Sequence, residues 1–236
     1  MRCFLALLGW LACSPVAGAY EISSSWTLAS QWVDRGVSQT AGEPALQGSL
    51  DVALESGAYL GIGGSNIDFG VCCPEWLQLD GYLGFAKQHG DWRWDAGLTR
   101  STFVGARSDA DFSEYHFGLD WRSLGFRASW TPDFADLGRE AWYLELNGAF
   151  ALPWQEMRLL LHVGYTHGAA LQSRFAEATA LEPYGDWQLA LGRDLGRFSV
   201  TLAWADTDMG GPFRVRDKAG MNDGRLVLAV STIFHW

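Results

Sequence analysis

Residues 226–236 read LVLAVSTIFHW, with Leu226, Leu228, Val230, Phe234 and Trp236 on one parity and Ala229 and Ser231 on the other. A repeat of two is the signature of a strand whose faces meet different surroundings. An apolar face that ends on tryptophan suits the closing strand of a barrel with lipid on its outside. Trp236 then sits at the periplasmic rim, its ring in the interface and its carboxylate in water.

The same alternation recurs along the chain. Leu46, Leu50, Val52 and Leu54 oppose Gln47, Ser49, Asp51 and Glu55, and Trp142, Leu144, Leu146 and Phe150 oppose Tyr143, Glu145 and Asn147. It predicts an all-β chain, a transmembrane up-and-down antiparallel β-barrel. About twelve strands fall near 22–34, 45–55, 58–66, 76–88, 91–103, 112–122, 124–132, 142–152, 156–166, 185–194, 197–206 and 224–236. The first, third and tenth carry the weakest pattern.

Composition agrees with strands and turns rather than helices. The 236 residues include 28 Gly, 13 Trp, 13 Phe and 7 Tyr, against 17 Lys plus Arg. The first residues, MRCFLALLGWLACSPVAGAY, combine Arg2, an apolar run from Phe4 to Cys13, and small residues before Tyr20. They read as a signal peptide, 1–19, cleaved after Ala19, with 20–236 as one barrel domain. The apolar run is shorter than the ~20 residues of a spanning helix, and Pro15 interrupts it. A net charge of −10 argues against a nucleic-acid partner. Cys72 and Cys73 are adjacent, so they are two loop thiols or one strained disulfide, and not a staple for the fold.

Connections alternate in length. Tight turns at 55–58, 88–91, 122–125, 152–155 and 194–197 are separated by longer loops, of which 167–186 and 206–224 are the longest. Outer-membrane barrels have short periplasmic turns and long external loops, and an even strand number brings both termini to the periplasmic side. Trp26, Trp92, Trp121 and Trp236 are then expected in the periplasmic aromatic belt. Trp32, Trp76, Trp130, Trp142, Trp187 and Trp204 are expected in the outer one. A soluble sandwich or lipocalin-like barrel shows the same period, with its apolar face inward.

On the membrane reading the polar parity lines the lumen with Asp51, Asp80, Arg93, Asp95, Glu114, Asp120, Arg127, Glu145 and Arg158. Such a lining selects small polar solutes, or it is a cross-linked set of ion pairs that satisfies the interior. The loops add Asp109, Asp111, Asp133, Asp136, Glu177, Glu182, Asp206, Asp208 and Asp223, which draw cations to a pore mouth or form a solvated surface. DTDMGG at 206–211 lacks the ligand spacing of a calcium loop, so no metal and no cofactor is assigned. None of the five histidines sits in a motif with a nucleophile, and His116 and His162 read as interior hydrogen-bonding residues rather than parts of a hydrolase. The expected partners are outer-membrane lipid, a small polar solute, and the barrel assembly machinery acting on the C-terminal strand. A plugged barrel with a structural or adhesive role is the alternative.

DRGVSQT (34–40), PALQGSLD (44–51), ESGAYLGIGGSNIDFG (55–70), YLELNGAFALP (143–153) and VGYTHG (163–168) resemble the TorF-type porin family of bacteria. The resemblance implies a signal peptide, an outer-membrane β-barrel and a transport role without an assigned substrate. It supplies no catalytic residues. This chain departs from the family in Cys72-Cys73 and in the long 167–186 loop. Arg35 and Gln47 lie near the external end of the first hairpin, where a constriction, a loop anchor or a stabilised turn is expected.

Overall fold

A computed structural model describes residues 20–69, 75–106, 111–134, 138–154, 156–168, 183–209 and 221–236. The expected signal peptide, Cys72-Cys73 and most of the two longest loops lie outside the described residues. Among the described residues fourteen strands follow in chain order: β1 (Tyr20–Ala29), β2 (Val33–Asp34), β3 (Val37–Ser38), β4 (Ala45–Leu54), β5 (Ala58–Asn66), β6 (Leu77–His89) and β7 (Trp92–Val104), then β8 (Phe112–Trp121), β9 (Leu124–Thr131), β10 (Ala141–Ala151), β11 (Met157–His167), β12 (Tyr184–Leu195), β13 (Phe198–Thr207) and β14 (Arg225–His235). All but β2 and β3 form one closed barrel in which each strand pairs with its sequence neighbours, and β14 returns to β1. The seam is antiparallel from Ser23↔His235 to Ala29↔Ala229, so neither terminal strand leaves a free edge.

Side-chain parity places the apolar set outside. Leu46, Ile62 and Leu226 are 55%, 63% and 61% exposed, whereas Asp51, Asp95 and Asp186 are 6%, 5% and 4% exposed. A soluble barrel would show the reverse, and this inversion is how a barrel in hydrocarbon is built. Aromatic rings cluster toward both ends of the outer face. Trp92 stacks on Trp121 at 5.8 Å beside the tight turns, and Trp130 lies 5.7 Å from Tyr115 and 5.8 Å from Trp142 toward the longer loops. Trp26 also faces outward, but well along β1 from the tight-turn rim marked by Tyr20 and Leu54, with its ring over Gly48.

The strands match the expected positions closely, with one correction. The first strand ends at Ala29, not at 34. There the Leu228 N–H donates to the Ser30 hydroxyl at 3.1 Å, and the chain folds into the barrel as the β2–β3 hairpin. Trp32 is therefore not a lipid-facing ring. It is buried in a cluster with Ala29, Ala45, Ile67 and Ala229. Thr40 closes the hairpin's base, accepting the Trp32 N–H at 3.1 Å and donating to the Glu43 carbonyl at 2.6 Å.

At the tip, Arg35 and Gly36 have φ of 48° and 76°, the left-handed pair of a two-residue type I′ turn. Gly36 meets a second demand, because a Cβ there would lie 2.6 Å from Thr207 Cβ and 2.9 Å from Asp186 Cβ on the barrel wall.

Two outcomes follow. Arginine at Leu228 or Val230, outward and mid-strand, should lower the unfolding free energy in lipid by ~2–4 kcal/mol, and arginine at the inward Ser231 should cost less. Equilibrium denaturation of protein refolded into vesicles compares the three variants. Gly36→Ala should unseat the hairpin at a cost of about 1–3 kcal/mol through overpacking and backbone strain. Limited proteolysis should then cut within 30–44, which the wild type resists.

Candidate functional site: the barrel lumen

The hairpin reaches across the lumen. Around the ring, β9 lies opposite β1, and Arg35 lands on the strands that flank it. Its guanidinium donates to Glu114 Oε2 on β8 at 2.6 Å and stands over the Tyr143 ring of β10, 4.3 Å from the centroid. Burial works against the Arg35 charge, and the carboxylates of Glu114 and Asp34 outweigh it and hold the guanidinium protonated. Asp34 has the opposite fate. Burial pushes its carboxyl up to about 6, the Arg35 charge offsets part of this, and Glu114, Asp186 and Glu145 add to the rise.

Beneath the tip, inward side chains form a continuous network. Tyr143 donates to Asp186 at 3.2 Å, and His162 lies 2.9 Å from both Tyr143 Oη and Asp186 Oδ1, with its Nδ1 2.8 Å from Asn147. Arg127 bridges Asp95 and Glu145 at 3.6 and 3.7 Å. Asp95 meets His116 at 2.7 Å, and Tyr59 approaches the same imidazole at 3.3 Å. Nearer the tight turns, Arg93 pairs with Asp120 at 3.7 Å, and Arg158 holds Asp194 with two bonds of 2.8 and 2.9 Å.

Several of these contacts cross a whole intervening strand, which is feasible only over glycine. Tyr82 of β6 reaches Asp51 of β4 above Gly61, and Tyr143 of β10 reaches Asp186 of β12 above Gly164. A Cβ on either glycine would collide with the tyrosine ring or hydroxyl.

The lumen is uneven. The wall from β4 to β9 is filled by this long polar set. On the other side Ala190, Ala203, Ala205 and Leu160 are buried and small or apolar. A cavity of about 90 Å³ opens there, lined by Asp34, Arg35, Tyr143, Glu145, His162, Asp186 and Gln188 together with Ala190, Thr201 and Ala205. It is large enough for several waters or part of a small solute.

All nine lining residues expected from the sequence face inward. Of them only Glu145 lines the cavity. Asp51 is held by Tyr82 and Ser49, Asp80 by Ser101 and Gln78, and Asp95 by His116 and Arg127, so these three belong to the filled wall. Asp186 and Asp194, on the poorly patterned β12, and Asp34, expected in a membrane strand, stand outside that expected set. Among the loop acids, Asp111, Asp133 and Asp208 accept the N–H groups of Phe103, Gly138 and Gly185 at 3.0, 2.7 and 2.5 Å, a structural use. Asp109, Asp136, Glu177 and Glu182 lie outside the described residues. His116 and His162 bond to tyrosine, carboxylate and amide groups. Among the described residues no group of three or more His, Cys, Asp or Glu is placed to hold a metal ion.

The barrel has solved counterparts. The NanC porin superposes with a TM-score of 0.53 at 10% identity, covering 91% of this chain and 98% of that one. A chain from work on in-meso crystallization of membrane proteins gives the same score and identity, covering 91% and 84%. An outer membrane channel from Pseudomonas putida F1 aligns over 95% of this chain and 97% of its own with a TM-score of 0.44 and 9% identity. At such identities the first two establish a shared fold. No curated protein matches the sequence. Residues 14–234 match the model of Gcw_chp, a bacterial protein family of unknown function, and the chain belongs to that family.

Proposed function

We propose that this protein is an outer-membrane channel for small polar solutes, narrowed by its first loop and preferring cations. The observation that carries the reading is the cavity between the hairpin tip and the wall of small residues on β12 and β13. Its carboxylates are Asp34, Glu145 and Asp186, and Arg35, its guanidinium neighbour, is already paired with Glu114. The apolar exterior, the porin fold and the resemblance to TorF-type porins support the same reading. They also favour export by a signal peptide ending at Ala19 and insertion with the tight turns toward the periplasm. An enzyme is disfavoured by the partners of the two interior histidines.

A narrow lumen with excess carboxylate attracts cations and repels anions. Refolded protein in a planar bilayer should give discrete conductance steps. Across a salt gradient the reversal potential should show cation preference, reduced when Glu145 and Asp186 are both replaced by their amides. Absence of conductance under all conditions would favour a plugged barrel with a structural or adhesive role.

The preference should also depend on pH. Asp34 titrates near 6 when docked, above the ~3.9 of a solvated aspartate, so the docked hairpin takes up a proton that the withdrawn one does not. Acidification through 6 therefore favours docking and removes a negative charge, and both effects lower cation current. The charges facing Asp34 are Arg35 on its own hairpin, Glu114 on β8, Glu145 on β10 and Asp186 on β12, and His162 on β11 also senses it. Reversal potentials measured between pH 7 and pH 5 should shift more for wild type than for Asp34→Asn, and the difference isolates this carboxyl from His162. Equal shifts would remove Asp34 from the mechanism.

A further inference from the structure

The tip of the hairpin occupies the far wall as a ligand would. Arg35 fills the first central position of a type I′ turn, with φ of 48°, where Asn, Asp or Gly satisfies the backbone with less strain. The backbone gives no reason for arginine there, so its side chain must. The guanidinium has a carboxylate at 2.6 Å and an aromatic face at 4.3 Å, and the same Glu114 oxygen lies 3.5 Å from the Thr131 hydroxyl. A fixed carboxylate beside a ring is a recognition set for a planar or compact cation. The seat borders the cavity directly, since Arg35 and Tyr143 line both.

The tip is held by its contacts with the barrel wall rather than by a ladder of its own. β2 and β3 share two residue pairs, Val33↔Ser38 and Asp34↔Val37, which is too little to stand alone. The base is fastened independently by Trp32, Thr40 and the packing of Val37 on Tyr184, Met209 and Met221. Simple withdrawal of Arg35 would leave Glu114, 8% exposed, as an uncompensated buried charge. A solute cation that takes the same seat removes that penalty by one-for-one exchange. A neutral sugar or an anion offers no such exchange.

We infer that the seat formed by Glu114 and Tyr143 is a recognition subsite for solutes bearing a guanidinium or primary ammonium head, with Arg35 as its tethered occupant, displaced when such a solute enters from the cavity. The inference rests on the lumen being a solute path, but the binding it asserts can be read without any current.

The probe is methylguanidinium chloride, compared with sodium chloride at equal ionic strength. In thermal melts of the refolded protein, Arg35→Ala should gain stability with millimolar methylguanidinium, whereas Arg35→Ala/Glu114→Gln should not. Wild type should need about tenfold more probe, because its own arginine competes for the seat. In bilayers the same additions should depress the potassium current of Arg35→Ala selectively. Identical melts for the single and double variants would overturn the subsite, whatever the currents show. Loss of current with the melt difference intact would overturn the channel reading and keep the subsite. Arg35→Gln is the second variant, and if neither it nor Arg35→Ala refolds, the guanidinium is a structural strut and the proposal fails.

Discussion

In hydrocarbon no water is available to a backbone N–H or carbonyl, so every strand in the ring needs a partner on both sides, and the first and last must find each other. Here that requirement is met by the β1–β14 seam, continued past the strand by Trp236, whose N–H donates to the Ile22 carbonyl at 2.9 Å. Closure then dictates the rest. The described strands alternate in direction, so an even number brings Tyr20 and Trp236 to the tight-turn end together. A closed ring also has only an inside and an outside, and the period of two sends one parity to each.

The inside of such a ring is too narrow for its long polar residues to be arranged freely. Buried charges must find partners. Some lie directly across the ladder, as Arg93 and Asp120 do, and others are reached across glycines, over Gly61 and Gly164, where a tyrosine two strands away closes the bond. Where the wall is alanine rather than glycine under tyrosine, as at Ala190 and Ala205, nothing fills the space and the cavity remains. Filled wall and open wall are therefore two outcomes of one choice, the size of the inward residue.

Much of this was legible in the sequence, because period and turn chemistry are local. Eleven of the twelve barrel strands lie within a residue or so of where alternation places them, β5 at 58–66 being an example. The inward lining followed from parity alone. The hairpin did not, because Trp26, Leu28 and Trp32 keep the same parity across the break at Ser30. At the break the Ser30 hydroxyl accepts from Leu228, a residue 198 positions away, and no local pattern encodes that contact. The available clue was Arg35-Gly36 between Val33-Asp34 and Val37-Ser38, a glycine at the second position of a two-residue turn. Asp186 went unassigned because β12 interleaves Gly, Ala and Arg with its apolar residues, which blurs the face to which its carboxylates belong.

The break at Ser30 ties the seam to the constriction. Gln31, next to it, accepts from Arg225 at 3.1 Å and from the Ser38 hydroxyl at 3.1 Å, so the closing strand and the hairpin share one amide oxygen. Ser38 in turn accepts the Gly42 N–H at 3.0 Å, and its own N–H donates to the Met221 carbonyl at 2.8 Å, just ahead of β14. The base of the hairpin is thus assembled from groups on both ends of the chain. Its set of partners is complete only with β14 in place beside β1. The same arrangement separates the two parts of the loop in function. The base is as fixed as the seam, while the tip depends on what Glu114 and Tyr143 hold.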